Sequence, residues 1–207
     1  PFIVAFGGAK ISDKLPLIES FLTRADRILI GGAMANTFLA ALGRPTGQSL
    51  VEVNAIDIAA DIAARAGDLL LLPEDLIVGE PGCAGSGTVV RADAIPDNCA
   101  AYDIGPFTRE LFSSAISTAA TFFWNGPMGW FEAAGYDVGT REVARAAVVA
   151  AESGAFAVIG GGDSARAIRE AGLDKRVSHV STGGGASLEY LAHGTLPGLE
   201  ALDDDEA

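Results

Sequence analysis

Two of the three lysines in this chain lie four residues apart near its start, in the stretch FGGAKISDK. The other basic side chains are nearly all arginine, so lysine is used selectively here. A lysine ammonium is a compact charge on a flexible stem, which suits a phosphate group that moves during a reaction. Lys10 and Lys14 therefore predict the cationic part of a phosphate site, with two solvated surface lysines as the alternative.

A residue between these lysines bears on the prediction. Asp13 is a suitable N-cap, which would make Lys14 the first residue of a helix and place Pro16 in its first turn. A cation at that point faces the positive end of the helix and costs a few tenths to about 1 kcal/mol. An anion bound between the lysine and the helix N-terminus would be attracted by both and would make the interaction favourable. This arrangement therefore also favours an anionic ligand.

Four glycine turns follow apolar runs and precede helical patterns: FGGAK, ILIGGAMA, AVIGGGDSA and HVSTGGGASLE. In an open parallel sheet all such turns lie at the carboxyl edge, where ligands bind. Glycine lets a ligand approach the backbone, and helix N-termini offer N–H donors. Glycine in such a turn can be purely steric, but four turns together favour a phosphate-bearing ligand. None of them matches a Walker loop or the GxGxxG dinucleotide fingerprint.

Two polar stretches follow further strand-like runs. Asp163 and Ser164, in GGGDS, could cap a helix or supply a carboxylate for Mg²⁺ and a hydroxyl for phosphate oxygens. The stretch WNGPMGWFE combines apolar flanks with a few polar groups, which suits a base and a ribose. Its candidate residues are Asn125, Pro127 and Glu132.

The sequence offers few residues for histidine- or cysteine-based catalysis or metal binding, since it contains two histidines and two cysteines. His179 lies beside Ser178, but a Ser/His pair adjacent in sequence is not a catalytic triad. Cys83 and Cys99 lack the spacing of a metal site. Phosphoryl transfer needs few such groups, because its catalysis rests mainly on positioning and charge neutralisation.

Composition and charge set wider limits. The formal net charge of −13 argues against nucleic acid as a partner, since phosphate neutralisation requires a basic face. No apolar run is long enough for a membrane span, and the start lacks the basic residues of a signal peptide. We therefore expect a globular, monomeric, cytoplasmic protein with free thiols. The chain opens on Pro1 without a methionine, which indicates a piece of something longer.

Short, continuous apolar runs indicate strands of a sheet that is covered on both faces. They occur at 2–6, 27–30, 68–72, 121–124 and 156–159. Helical periodicity occurs at about 14–24, 33–42, 51–66, 107–118, 140–152, 163–171 and 185–192. This alternation predicts an α/β fold, a doubly wound, mostly parallel sheet of about six strands with helices on both faces in three layers. Segment 76–104 is predicted to hold a short hairpin and a connecting loop, and 1–207 to form one domain.

These features resemble the C-terminal, nucleotide-binding domain of phosphoglycerate kinases. The resemblance covers essentially the full chain, through the ordered motifs GGAKISDK, LIGGAMANTFL, GQSLVE, LLLPEDLIV, DIGPFT, WNGPMGWFE, GGGDSA and HVSTGGGASLEYL. It implies a Rossmann-like fold and reversible transfer of a phosphoryl group from 1,3-bisphosphoglycerate to MgADP in glycolysis. It also implies an N-terminal phosphoglycerate-binding domain as a partner, without which this chain is expected to bind nucleotide with little turnover.

The resemblance also implies roles for single positions, with ATP or ADP and Mg²⁺ as ligands. Its expected catalytic residues are Lys10, Gly162, Gly184 and Gly185, and of these Lys10 would lie nearest the transferred phosphoryl group. Lys10 and Lys14 would both contact the nucleotide phosphates. The nucleoside would contact Gly8, Gly31, Gly32, Leu50, Asn125 and Pro127, and its ribose Glu132. The phosphate turn would comprise Gly160, Gly161, Gly162, Asp163 and Ser164, with Asp163 reaching the magnesium ion.

One position departs from the family pattern and two other classes stay open. The family usually has Gly-Leu before DIGP, where this chain has Ala101-Tyr102. The resemblance therefore does not fix the shape of the adenine pocket. The first other class is a non-catalytic nucleotide-binding module without a substrate half. The second is a Rossmann dehydrogenase, which would need the missing GxGxxG fingerprint.

Overall fold

The computed structural model describes residues 1–85, 87–181 and 183–196. The strands in these ranges are β1 (Phe2–Phe6), β2 (Arg27–Ile30), β3 (Leu70–Leu71), β4 (Asp75–Gly79), β5 (Thr88–Arg91), β6 (Ala100–Ile104), β7 (Thr121–Asn125), β8 (Phe156–Gly160) and β9 (His179–Val180). The α-helices are α1 (Leu15–Phe21), α2 (Gly32–Ala41), α3 (Ile56–Ala66), α4 (Pro106–Ser117), α5 (Val138–Glu152), α6 (Gly162–Glu170) and α7 (Gly184–His193).

The larger sheet contains six strands in the order β3-β2-β1-β7-β8-β9, and every pairing in it is parallel. β1 pairs with β2 on one side and β7 on the other, so that Phe6 lies between Ile30 and Asn125. The strand order therefore reverses between β1 and β7, and the crevice outside their carboxyl ends is a topological switch point. The predicted α/β fold, with its doubly wound parallel sheet of about six strands, is confirmed.

Alternate residues of β1 face two separate apolar clusters, one on each side of the sheet. Ile3 and Ala5 pack with side chains of α4, α5 and α6. Val4 and Phe6 pack with side chains of α1, α2 and α3. All four residues are at most 1% exposed, and this burial of both faces explains why the strand is a continuous apolar run. The three predicted layers are therefore present.

A smaller antiparallel sheet, in the order β5-β4-β6, is formed by residues 75–104. β4 and β5 form the predicted hairpin, but β6 is a third strand where the sequence predicts a connecting loop. The pairing of the alanine-containing β6 depends on tertiary packing, because alanine has low strand propensity. Asp103 joins this strand to α5, since its carboxylate accepts the N–H of Gly139 at 2.7 Å. Burial raises the pKa of Asp103 to about 7, against the opposing effect of the hydrogen bonds from Gly139 and Ile104.

Two element boundaries differ from the predictions. The run 68–72 yields a strand of only two residues, because Gly67–Leu69 is a 3-10 turn. The helix predicted from residue 51 begins at Ile56, after a 3-10 turn at Val53–Ala55.

Both cysteines are free thiols, as predicted. Among the residues that the structure describes, no helix combines the length and apolar character that crossing a bilayer requires.

Candidate anion-binding site

A cavity of about 390 Å³ opens at the carboxyl ends of β1, β7 and β8, beside the switch point. Segments distant in sequence meet here, because the parallel order places the ends of these strands at one edge. The cavity is lined by Gly8, Ala9, Lys10, Asp13, Lys14, Asn125, Gly126, Pro127, Gly161, Gly162, Asp163, Ser164, Gly185 and Leu188. Most of the residues predicted from the sequence are therefore brought together.

Lys14 bridges the two strand ends at the switch point. Its Nζ donates to the carbonyl oxygen of Gly7 and to that of Asn125, the latter at 3.1 Å. Desolvation by burial lowers the pKa of Lys14 to about 8, although the negative charges of Asp163 and Asp13 oppose the shift. An ammonium in this position offers positive charge to the cavity and also holds β1 against β7.

The prediction that Asp13 caps the first helix is wrong. Asp13 lies in a 3-10 turn, Ser12–Lys14, and Lys14 itself is the N-cap residue of α1, without a side-chain capping hydrogen bond. Pro16 does occupy the first turn of that helix, as predicted. The 3-10 turn moves the start of α1 by one residue, and Asp13 lines the cavity instead.

Asn125 contributes a buried amide group to the cavity. Its side chain is 2% exposed, and its Nδ2 has no hydrogen-bond partner among the described residues. A Cβ atom on Gly161 would come within 2.6 Å of this nitrogen. Leaving such a donor unsatisfied costs about 1–3 kcal/mol, so a ligand oxygen that accepted from it would remove that cost.

The turn after β8 opens into the same cavity. Gly161 is the N-cap residue of α6 and has φ +87°, a conformation that favours glycine. Gly162 and Asp163 follow as exposed residues of the first helical turn. The first amides of a helix have no intrahelical acceptor and carry partial positive charge. This end of α6 can therefore donate to an anion in the cavity.

Ser164 lies in this turn but its hydroxyl serves the fold. Ser164 is fully buried, and its Oγ donates to the carbonyl oxygen of Gly160 at 2.5 Å. Oγ of Ser164 also accepts the N–H of Gly126 at 2.9 Å. The hydroxyl thus ties the end of β8 to the turn after β7, and these contacts do not support the predicted bond to phosphate oxygens.

Gly31 and Gly32 lie outside the cavity, in close backbone contact with other turns. The N–H of Gly32 donates to the carbonyl oxygen of Met128 at 2.8 Å. A Cβ atom on Gly32 would lie 2.6 Å from the backbone nitrogen of Gly8, and one on Gly31 would lie 2.5 Å from Sδ of Met128. Packing alone is therefore a sufficient reason for glycine at both positions. This is the purely steric alternative that the sequence left open for such turns.

The other predicted residues that do not line the cavity occupy different environments. Leu50 is 62% exposed, and its carbonyl oxygen accepts from Nδ2 of Asn36 at 3.3 Å. Glu132 is exposed, and its Oε1 lies 4.0 Å from a guanidinium nitrogen of Arg166. Gly160 is the buried last residue of β8 and Gly184 the first residue of α7.

Several residues near the cavity were missed by the sequence reasoning, among them the lining residues Ala9 and Leu188. Asp13 and Gly126 line it, and Glu52 binds the loop that carries Lys10. The position of Asp13 between two lysines could have indicated a site residue as well as a cap. No local signal identifies Glu52, because its partners lie 40 and 41 residues away in sequence.

The charges around the cavity suit a polyanion together with a cation. Two ammonium groups, Lys10 and Lys14, and two carboxylates, Asp13 and Asp163, line it. No cluster of three or more potential metal ligands from His, Cys, Asp or Glu occurs within the described part of the chain. Mg²⁺ is commonly held by one or two carboxylates plus phosphate oxygens, so these two carboxylates fit a metal ion that arrives with a phosphate ligand.

The fold and the cavity together define an α/β protein with a crevice suited to anions at the switch point of a doubly wound sheet. The family model described as phosphoglycerate kinase matches residues 1–194. This chain belongs to the phosphoglycerate kinase family.

Curated relatives agree with this assignment. A phosphoglycerate kinase of Thermus thermophilus is 55% identical over 98% of this chain and 53% of its own length. That of Parafrankia sp. is 53% identical over 98% of this chain and 50% of its own length. The chain therefore spans about half the length of the curated relatives that it matches.

Solved structures of the family have the same fold. Phosphoglycerate kinase from Coxiella burnetii matches 99% of this chain and 53% of its own, with a TM-score of 0.92 and 37% identity. The enzyme from Pyrococcus horikoshii matches 98% of this chain and 52% of its own, with a TM-score of 0.85 and 33% identity. The doubly wound sheet is thus shared with these enzymes.

Proposed function

We propose that this chain is the nucleotide-binding half of a phosphoglycerate kinase, a single domain over 1–207 that binds ADP or ATP with Mg²⁺. The observation that carries the proposal is the presence of Lys10, Lys14 and the N-terminus of α6 around one cavity. These positive groups line the cavity together with the carboxylates of Asp13 and Asp163, and they form a surface for a polyanion with its metal ion in a chain whose formal net charge is −13. Such a surface favours the polyphosphate of a nucleotide over a neutral ligand.

Each positive group has a distinct part in this proposal. Lys10 is exposed at the cavity, so its flexible side chain can contact the terminal phosphate of ADP and follow the phosphoryl group that is transferred. Lys14 is held by two carbonyl oxygens and supplies a fixed charge to the phosphates. The amides of Gly162 and Gly185, which line the cavity, donate to phosphate oxygens, and Nδ2 of Asn125 gains an acceptor. The same role for the amide of Gly184 rests on membership of the family alone.

Magnesium fits the two carboxylates of the cavity. Asp163 is the proposed ligand, and Asp13 lines the same cavity. Bound together with the phosphates, the ion neutralises negative charge on their oxygens. The carboxylates also keep Lys14 charged, because their negative charges oppose the fall of its pKa.

The nucleoside contacts rest on different support. Gly8, Asn125 and Pro127 line the cavity beside the phosphate groups, which supports their proposed contacts. The contacts proposed for Gly31, Gly32, Leu50 and Glu132 rest on membership of the family alone.

The proposed reaction belongs to the longer protein. The curated relatives are about twice the length of this chain, and we propose that an N-terminal domain supplies the phosphoglycerate site. The bond between phosphorus and the acyl oxygen of 1,3-bisphosphoglycerate breaks, and a bond between phosphorus and an oxygen of the terminal phosphate of ADP forms. The present chain alone is expected to be a monomer that binds nucleotide with little turnover, and a cytoplasmic location stays a prediction.

Calorimetric titration tests the proposal, with MgADP and adenosine as ligands. We expect Lys14→Ala to weaken MgADP by roughly ten- to a hundredfold, because about 1.5–3 kcal/mol of charged hydrogen bonding is lost. Adenosine should bind the variant and the original chain alike. Lys175→Ala removes an exposed lysine from the turn Asp174–Arg176, outside the cavity, and should leave both affinities unchanged.

Two results would contradict the proposal. The first is the absence of heat when the unmodified chain is titrated with millimolar MgADP. The second is equal weakening of MgADP and adenosine by Lys14→Ala, which would remove Lys14 from the phosphate site.

A further inference from the structure

The loop that carries Lys10 is held by a carboxylate from a distant part of the chain. Oε2 of Glu52 accepts the N–H of Ile11 at 2.8 Å and the N–H of Ser12 at 3.2 Å. Oε1 of Glu52 accepts the hydroxyl of Ser12. Three donors from two consecutive residues therefore converge on one side chain, directly after Lys10.

Glu52 is itself anchored to the buried part of the fold. Its backbone N–H donates to Oγ1 of Thr37 at 3.0 Å, and Thr37 is fully buried within α2. On the other side of the contact, the side chain of Ile11 is fully buried in the core. The backbone at 11–12 is thus fixed by a buried side chain and by a carboxylate that is tied to a buried helix.

Electrostatics favour the ionised form of Glu52 in this contact. Desolvation alone would raise the pKa of Glu52, but the hydrogen bonds from Ser12 and Ile11 and the positive charge of Lys10 lower it below its ordinary value. Charge-assisted hydrogen bonds of this kind are shorter and roughly twice as strong as neutral ones. The contact therefore holds the loop more firmly than a neutral amide would.

We propose that Glu52 is a positioning residue of the phosphate site, which holds the backbone next to Lys10 so that its ammonium stays at the cavity. This inference rests on the proposed function, since it assigns Lys10 to a nucleotide phosphate. Glu52 does not line the cavity and acts only through Lys10. The position of a charged group matters at the scale of about 1 Å for its action on a bound ligand, so we expect that loss of the contact next to Lys10 weakens phosphate binding.

The test combines Glu52→Gln with Lys10→Ala in a double-mutant cycle on this chain, measured by calorimetry with MgADP and with adenosine. Glutamine is nearly the same size but is neutral, and only one of its two polar atoms can accept. We expect Glu52→Gln to weaken MgADP by about tenfold and adenosine hardly at all. In the Lys10→Ala background the same change should have almost no further effect, because the group that Glu52 positions is gone.

Amide NMR spectra test the contact without any ligand. The amide proton resonances of Ile11 and Ser12 should move strongly in Glu52→Gln, because the carboxylate that accepts from them is lost. The matched control is Glu152→Gln, which removes the same charge from an exposed pair with Arg176 and should move neither resonance nor either affinity.

The outcomes separate this inference from the proposed function. If the unmodified chain binds MgADP but Glu52→Gln binds it equally well, the role of Glu52 is overturned and the proposed function stands. Additive losses in the double mutant, or equal losses for MgADP and adenosine, also overturn it, because they show a general effect on structure. If the unmodified chain does not bind MgADP, both proposals fall.

Discussion

Two glycine turns of the same sheet have almost the same sequence and different environments. The closed turn, Gly31–Gly32, follows β2, and the open turn, Gly160–Gly162, joins the last residue of β8 to the start of α6. A Cβ atom on Gly32 would meet backbone atoms of Gly8 and Pro127 at 2.6 to 2.8 Å, whereas one on Gly162 would meet no atom within 4 Å. The first turn requires glycine because backbones approach one another. The second leaves room for a ligand at Gly162, although a Cβ atom on Gly161 would lie 2.6 Å from Nδ2 of Asn125.

This difference teaches that a glycine turn at the carboxyl edge is evidence for a ligand only when the space above it is open. The closed turn is filled by the segment after β7, since the N–H of Gly32 donates to Met128 at 2.8 Å. The open turn faces Asn125, whose Nδ2 has no partner among the described residues. The ligand is therefore expected where the carboxyl ends of β1, β7 and β8 meet, and not above β2.

The largest effect that tests this comparison is on stability. Gly32→Ala places a side chain at φ +65° and against rigid backbone, so we expect a loss of about 3 kcal/mol in the free energy of unfolding. Urea denaturation of both proteins measures it. A loss below about 1 kcal/mol would mean that the closed turn can open and that its glycines are not required by packing.

The second effect is a pH dependence of binding. Lys14 has a pKa of about 8 in the free chain, and a bound phosphate would raise that pKa by stabilising the ammonium. The complex then holds its proton to higher pH than the free chain does, so MgADP affinity should fall as pH rises from 7 to 9, by roughly tenfold. Calorimetry at several pH values measures this fall, which should be absent in Lys14→Met. An affinity independent of pH in the unmodified chain would show that Lys14 does not contact the phosphates.

The smallest effect concerns the open turn itself. Gly162 has no neighbouring atom within 4 Å of an added Cβ, so Gly162→Ala should change the free energy of unfolding by about 0.5 kcal/mol or less. It should nevertheless weaken MgADP, because the methyl group lies where the phosphate approaches the amide. Urea denaturation and calorimetry on the same protein check both parts. Severe destabilisation with unchanged affinity would reverse the comparison.

Much of this architecture could be predicted from the sequence because buried parallel strands leave a local signal. The runs at 2–6, 27–30, 121–124 and 156–159 match strands of the sheet closely. β6 could not be predicted, because Ala100–Ile104 pairs through contacts with β4 that its own residues do not encode. The closed and open turns were indistinguishable for the same reason, since residues near 126–128 decide which of them is filled.

The candidate site shows the same division. Lys10 and Lys14 were found from their type and spacing, and they line the cavity. The role of the Ser164 hydroxyl in joining Gly160 to Gly126 could not be predicted, because Gly126 lies 38 residues away in sequence. Residue types indicate which chemistry is available, whereas long-range packing decides which groups remain free to perform it.

The most direct test of the central claim is an NMR titration of the isotope-labelled chain with MgADP, with adenosine in parallel. We predict that MgADP strongly shifts the backbone amide of Gly162 and the side-chain amide of Asn125, and that adenosine leaves Gly162 almost unchanged. The amides of Gly31 and Gly32, which donate to Phe6 and Met128, should respond alike to the two ligands, because only the nucleoside is proposed to contact them. Equal shifts of Gly162 with MgADP and adenosine, or MgADP shifts that avoid Asn125 and Gly162, would contradict the assignment of this cavity to the nucleotide phosphates.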